Sequence, residues 1–200
     1  MYCLSIHIWY ARLVWTVVTL ISICAPAAAL KAETKITETV KYYIIYPQNP
    51  ADLRQALEMA SPVFFEGKTY FGYTDSRIGW YLHWYASQQD CRPTGADITV
   101  EITTTLPKLS ASVTDKETSA KFNRFLQALI LHESGHRDIA MDAARQIEHD
   151  LTQLMPRAKC ADLAREAELM VQKILDAHDR IGREYDERTR YGATQGALIP

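Results

Sequence analysis

The sequence predicts an α+β domain, a small antiparallel sheet packed on two long helices. Period-two strands fill the first half of the chain, two long helical stripes fill the second, and the two kinds follow one another instead of alternating. A length of 200 residues suits one ordinary domain, and eight glycines and eight prolines exclude a collagen-like or low-complexity chain. With 22 basic against 24 acidic residues and no long run of one sign, nothing offers a nucleic-acid backbone a partner.

Residues 1–29 read as a secretory signal. Arg12 precedes an uncharged apolar run over residues 13–25, which closes with Pro26, Ala27, Ala28 and Ala29. Cleavage after Ala29 leaves residues 30–200 as the domain, with an uncleaved anchor as the alternative. No later apolar run is long enough to cross a bilayer, so no stable membrane span is expected after cleavage. The product is exported, to the periplasm or the medium. Cys3 and Cys24 leave with the signal, while Cys91 and Cys160 remain where thiols are oxidised, and a disulfide between them is expected. Closing a loop of about 70 residues stabilises the fold by roughly 4 kcal/mol on the chain-entropy account.

The elements of the domain follow in order. Over residues 34–46 Ile36, Val40, Tyr42 and Ile44 alternate with polar side chains, which predicts a strand. Asn49 and Pro50 open a short helix that carries Leu53, Leu57 and Ala60 on one face and ends before Pro62. Ile78, Trp80, Leu82 and Trp84 alternate with Gly79, Tyr81, His83 and Tyr85 in a second strand. A third spans residues 97–105, where Pro107 stops it. Thr114 and Glu117 form a capping box for a helix running to about Leu154 before Pro156. The second long helix, residues 161–185, has Leu163, Ala167, Met170, Ile174, His178 and Ile181 on one stripe. The glycine-rich tail, residues 186–200, reads as irregular.

His132, Glu133, Ser134, Gly135 and His136 spell H-E-x-x-H inside the first long helix. Residues four apart on a helix differ by about 40° in direction and lie one turn apart, so the two imidazoles can converge on one Zn2+ ion. Glu133, turned about 100° from His132, stands beside the ion instead of on it. Zinc lowers the pKa of water towards about 7. Glu133 is therefore placed as the catalytic residue that takes that proton and returns it to a leaving amine, which is peptide hydrolysis. A sheet set on such a helix makes residues 30–200 a zincin-like metallopeptidase domain. Gly135 costs a helix interior about 1 kcal/mol relative to alanine. Close approach of a ligand or backbone to the metal face explains it, and so does a tight helix crossing.

The third zinc ligand is not named by spacing. Position 142, where one extended version of this motif needs a histidine, is Asp142, and on a continuous helix it points away from the histidine pair. Glu166, His178 and Asp186 are the candidates on or after the second helix.

The mature chain resembles the bacterial family of predicted secreted zinc-dependent proteases classed under a domain of unknown function. The resemblance is carried by YYIIYPQNPADLRQAL, GYTDSRIGWYLHW, Cys91, VEITTTLPKL, LILHESGHRDIAMDAARQIE, Cys160 and YDERTRYGATQGALIP. It implies His132 and His136 as metal ligands and Glu133 as catalyst. Where the ending is expected to read T-x-H-G, this chain has Thr189, Arg190, Tyr191 and Gly192. If the usual histidine binds metal, the Tyr191 phenol takes its place or the site is weaker.

The leading expectation is thus an exported zinc peptidase acting on peptide or protein substrates, with residues 97–105 as the edge strand that holds the substrate backbone. An amidase acting on cell-wall peptides shares the same chemistry. A non-catalytic envelope protein with a structural or vestigial zinc site is the reading from another class, for which the aromatic segment around Trp80, Tyr81, Trp84 and Tyr85 would be the interaction surface, if it is not sheet core.

Overall fold

The computed structural model describes residues 31–65 and 67–199; the signal read over residues 1–29, with Cys3 and Cys24, lies outside the described residues. Strand β1 (Lys31–Ile45) is followed by helix α1 (Leu53–Ala60), a hairpin of β2 (Val63–Phe65) and β3 (Lys68–Tyr70), and strands β4 (Tyr73–Ala86) and β5 (Cys91–Leu109). Helices α2 (Lys116–Thr152) and α3 (Cys160–Thr189) come next, then a single 3₁₀ turn (Ala193–Gln195). The α+β expectation is met.

The sheet has the order β1-β5-β4 and is mixed, not wholly antiparallel: β5 runs antiparallel to β4 and parallel to β1. Alternation of side chains carries no strand direction, and the connectivity decides it. A tight turn at Ser87, whose N–H donates to the Asp90 carbonyl at 2.8 Å, reverses β4 into β5. The longer path through α1 and the hairpin has already reversed β1 into β4, so two reversals set β5 beside β1 in the same direction. Residues 97–105 therefore form the middle of the sheet, paired on both sides, and the edges are β1 and β4, of which β4 carries Thr74 beside Glu133. Pro107 does not stop β5. Pairing with β4 ends at Thr105, so the proline falls where β1 is the one neighbour left and its missing N–H is tolerated.

Helix α2 lies across one face of the sheet and separates two apolar cores. Ile98, Val100 and Ile102 of β5 pack with Ala144, Ile147 and Leu151 of α2 and Leu163, Ala167 and Val171 of α3. Ile45, Leu53, Leu57 and Leu106 pack with Phe122, Phe125 and Leu129 near the start of α2, together with Ile199. The first core is stapled by the expected disulfide, Cys91–Cys160, with its Cα atoms 5.1 Å apart. The α2 cap is Asp115, whose side chain accepts from the Thr118 N–H at 2.7 Å. That is one residue beyond the predicted capping box, and a carboxylate serves a helix start at least as well as a hydroxyl.

The aromatic segment divides between core and surface, and a register shift between His83 and Trp84 breaks the alternation there. Trp80 packs against the first core, whereas Tyr81, Trp84 and Tyr85 are exposed. Among the described residues no helix is long and apolar enough to cross a membrane.

Candidate metal centre

Between the two cores α2 carries His132 and Glu133, both only 4% exposed. Burial of such groups is costly unless they are partnered, so their surroundings have to be polar. The partners come from the end of α3 and from the tail. Helix α3 runs to Thr189, one turn beyond its predicted end, which turns residues 186–189 from irregular tail into the last helical turn.

Asp186 lies in that turn, and its Oδ1 stands 2.8 Å from His136 Nε2 and 3.2 Å from His132 Nε2. The three ligand atoms all lie within 4.8 Å of one another, an arrangement able to hold a metal ion. Ligands on a tetrahedral zinc with bonds of about 2.0–2.2 Å stand roughly 3.3 Å apart, and the two distances to Asp186 are of that order. Among the described residues no fourth histidine, cysteine or carboxylate joins them.

The hydrogen bonds around His132 fix which nitrogen faces the cluster. The Tyr185 hydroxyl donates to the His132 carbonyl at 3.1 Å and accepts from Gln195 Nε2 at 3.0 Å. Gln195 therefore turns its Oε1 to His132, where Nδ1–H donates to it at 3.0 Å. With the proton on Nδ1, the Nε2 lone pair of neutral His132 points at the Asp186 carboxylate. Two acceptors facing one another need a proton or a cation between them, and this is the observation that fits the residues to a metal. The same arrangement, a ligating imidazole oriented through its other nitrogen, is usual at metal sites. The Tyr185 ring also stacks on His132, at 5.1 Å and 10° between planes.

Gly135 is explained by this ring. A Cβ there would fall inside the Tyr185 phenol, so the glycine serves a close helix crossing, the second of the two readings of its role. At the opposite edge of the site Gly192, with φ +82°, sets its Cα against the His132 ring, where a Cβ would stand 3.0 Å from Cγ.

Glu133 points to the sheet. Thr74 of β4 donates to Glu133 Oε2 at 2.8 Å, while Oε1 lies against Gly72, where a Cβ would come within 2.6 Å. The absence of a side chain at Gly72 is what leaves room for that oxygen. Burial raises the Glu133 carboxyl above its ordinary value, against the lowering pull of Thr74 and the two imidazoles. Burial would raise Asp186 too, but hydrogen bonds with His132 and His136 bring it down to about 2. Burial would lower His132, yet the bond to Asp186 and the charge of Glu133 leave it raised.

Of the third-ligand candidates, Asp186 joins the histidines and the others do not. Glu166 is paired with Arg157 at 2.6 Å, and His178 Nε2 lies 3.1 Å from Gln146 Oε1. Asp142 is bonded to Arg145. Tyr191 is half exposed and sets its ring against Tyr70, with centroids 5.4 Å apart. Thr74, Tyr185 and Gln195 escaped the sequence reading. The stripe through Ile174, His178 and Ile181 does continue at helical spacing to Tyr185 and Thr189, and the glycines around Gln195, both at positive φ, mark an ordered turn.

Residues 40–192 match the family described as "Bacterial protein of unknown function (DUF922)", and the chain belongs to that family. The match includes His132, Glu133, His136 and Asp186, and stops short of Gln195. No curated protein and no solved structure matches the chain.

Proposed function

We propose that this chain is an exported zinc-dependent peptidase of zincin-like design, with His132, His136 and Asp186 as metal ligands and Glu133 as general base. The convergence of the three ligand atoms next to a buried carboxylate carries this reading. Bound zinc supplies Lewis acidity at a carbonyl and makes water more acidic. Glu133 takes a proton from water as the water oxygen bonds to the carbonyl carbon, and delivers it to the amine nitrogen as the C–N bond breaks. Thr74 holds the carboxylate in place for both transfers. The free edge of β4 beside Thr74 receives an extended peptide by strand addition. The Cys91–Cys160 disulfide supports an oxidising compartment outside the cytoplasm.

The test is hydrolysis of an unfolded protein by the zinc-loaded chain. Glu133→Gln is expected to lower kcat by about 10²–10⁴-fold while zinc content is unchanged. Undiminished cleavage by that variant contradicts the assignment. Bound zinc without hydrolysis of unfolded protein or cell-wall peptides leaves a non-catalytic envelope protein with a structural site, and hydrolysis confined to cell-wall peptides makes it an amidase.

A further inference from the structure

Four aromatic rings run in a chain from one flank of the metal centre to the other. Tyr73 precedes Thr74, the residue bonded to Glu133, and its ring lies 5.2 Å from Phe65. Phe65 reaches Tyr70 at 6.5 Å, and Tyr70 reaches Tyr191 at 5.4 Å. Tyr191 precedes Gly192, whose backbone packs on the His132 ring. The β2–β3 hairpin and the start of β4, neighbours in sequence, thus meet the distant turn after α3 in one continuous ring surface.

Two features show that this surface is held in place rather than collapsed. Phe65, Tyr73 and Tyr191 remain 48%, 40% and 50% exposed, although large rings in contact normally bury more of themselves in a core. The hairpin is tied down at its base, where the Ser61 hydroxyl donates to the Tyr70 carbonyl at 2.5 Å and the Tyr43 hydroxyl donates to the Phe71 carbonyl at 2.8 Å. Tyr191 is fixed in a left-handed conformation, φ +53°, that a tyrosine seldom adopts, and such a conformation persists only where the surroundings impose it. Burial raises the Tyr73 phenol, and the charges of Asp75 and then Glu133 add to it.

We infer that the ring surface of Phe65, Tyr70, Tyr73 and Tyr191 binds an aromatic or large aliphatic side chain of the peptide lying across the metal centre, and so selects cleavage sites next to such residues. This rests on the peptidase reading for cleavage, though not for binding. A peptide on the edge of β4 turns alternate side chains to the same side as Tyr73, which gives one of them an aromatic neighbour. Ring-on-ring contacts supply geometry as well as buried area, so phenylalanine, tyrosine and leucine gain where alanine and aspartate do not.

The experiment uses two labelled peptides that differ at one position, phenylalanine or alanine, and reads binding by fluorescence anisotropy to the metal-free Glu133→Gln protein. The phenylalanine peptide is expected to bind about tenfold tighter. The ratio should fall to about twofold or less in Tyr73→Ser/Tyr191→Asn, and in Tyr191→Asn alone it should fall part of the way, asparagine being at ease at this φ. Tyr85→Ala, at the far end of β4, should keep the full ratio. Equal binding of the two peptides, or a preference that survives the double variant, overturns the inference. Cleavage of the same peptides by the zinc-loaded wild-type protein is read in parallel. No cleavage with the binding preference intact defeats the peptidase reading and upholds the ring surface; cleavage without preference does the reverse.

Discussion

One helix, α2, is buried in two ways. Over residues 144–151 it presents Ala144, Ile147 and Leu151 to β5 and α3, beside the Cys91–Cys160 staple, and these three side chains are satisfied by apolar contact. Over residues 132–136 it presents two imidazoles and a carboxylate to Asp186, Gln195 and Thr74. The first stretch stabilises without needing any particular partner atom, because dispersion and hydrophobic burial have no direction. The second depends on directed bonds and, without a metal ion, needs a proton to join His132 to Asp186. The stable cores on either side hold a polar layer that would not assemble alone.

Three changes sharpen that contrast, taken from the largest effect down. Ile147→Ala leaves a cavity in a fully buried position and should cost about 2–5 kcal/mol, read from urea unfolding and unchanged by zinc. Gly135→Ala places a methyl inside the Tyr185 ring and should cost about 1–3 kcal/mol by overpacking, in spite of the roughly 1 kcal/mol that alanine gains in a helix. Adding Tyr185→Val should restore most of that loss; if the double variant stays as unstable, the ring is not what Gly135 accommodates.

The smallest effect is pH dependence of the metal-free protein. His132 is raised above its ordinary 6.5, so its contribution is full below that value and is lost as pH rises through the folded one. Asp186 is lowered from 3.8 to about 2, so its contribution is present above 3.8 and is lost as pH falls towards 2. Glu133, raised by burial, also favours the lower side. Stability in chelator should therefore peak between about pH 4 and 6.5 and decline toward pH 8. A rise across pH 6–8 would show that the histidine cluster does not govern it.

The same contrast explains what could be read in advance. Apolar periodicity wrote out the three long strands in part and the helices, though not the β2–β3 hairpin, and H-E-x-x-H wrote out the two histidines and the glutamate, because both signals are local. Asp186, Gln195 and Thr74 are not local. They reach His132 and Glu133 over 50 residues or more of chain, Asp186 and Gln195 from the end of α3 and the turn after it and Thr74 from β4, so spacing could offer Asp186 only as one of three candidates. Strand direction was hidden for a related reason, since the parallel pairing of β1 with β5 follows from the path between them and not from either segment.

Zinc titration of the chelator-treated protein, with thermal unfolding followed in the wild type and in Asp186→Ala, tests the account most directly. One zinc per chain should bind the wild type and stabilise it, by about 2.7 kcal/mol at a hundred times Kd, and the variant should lose that gain. A wild-type chain that takes up no metal, or an Asp186→Ala chain that binds zinc as tightly as the wild type, would contradict it.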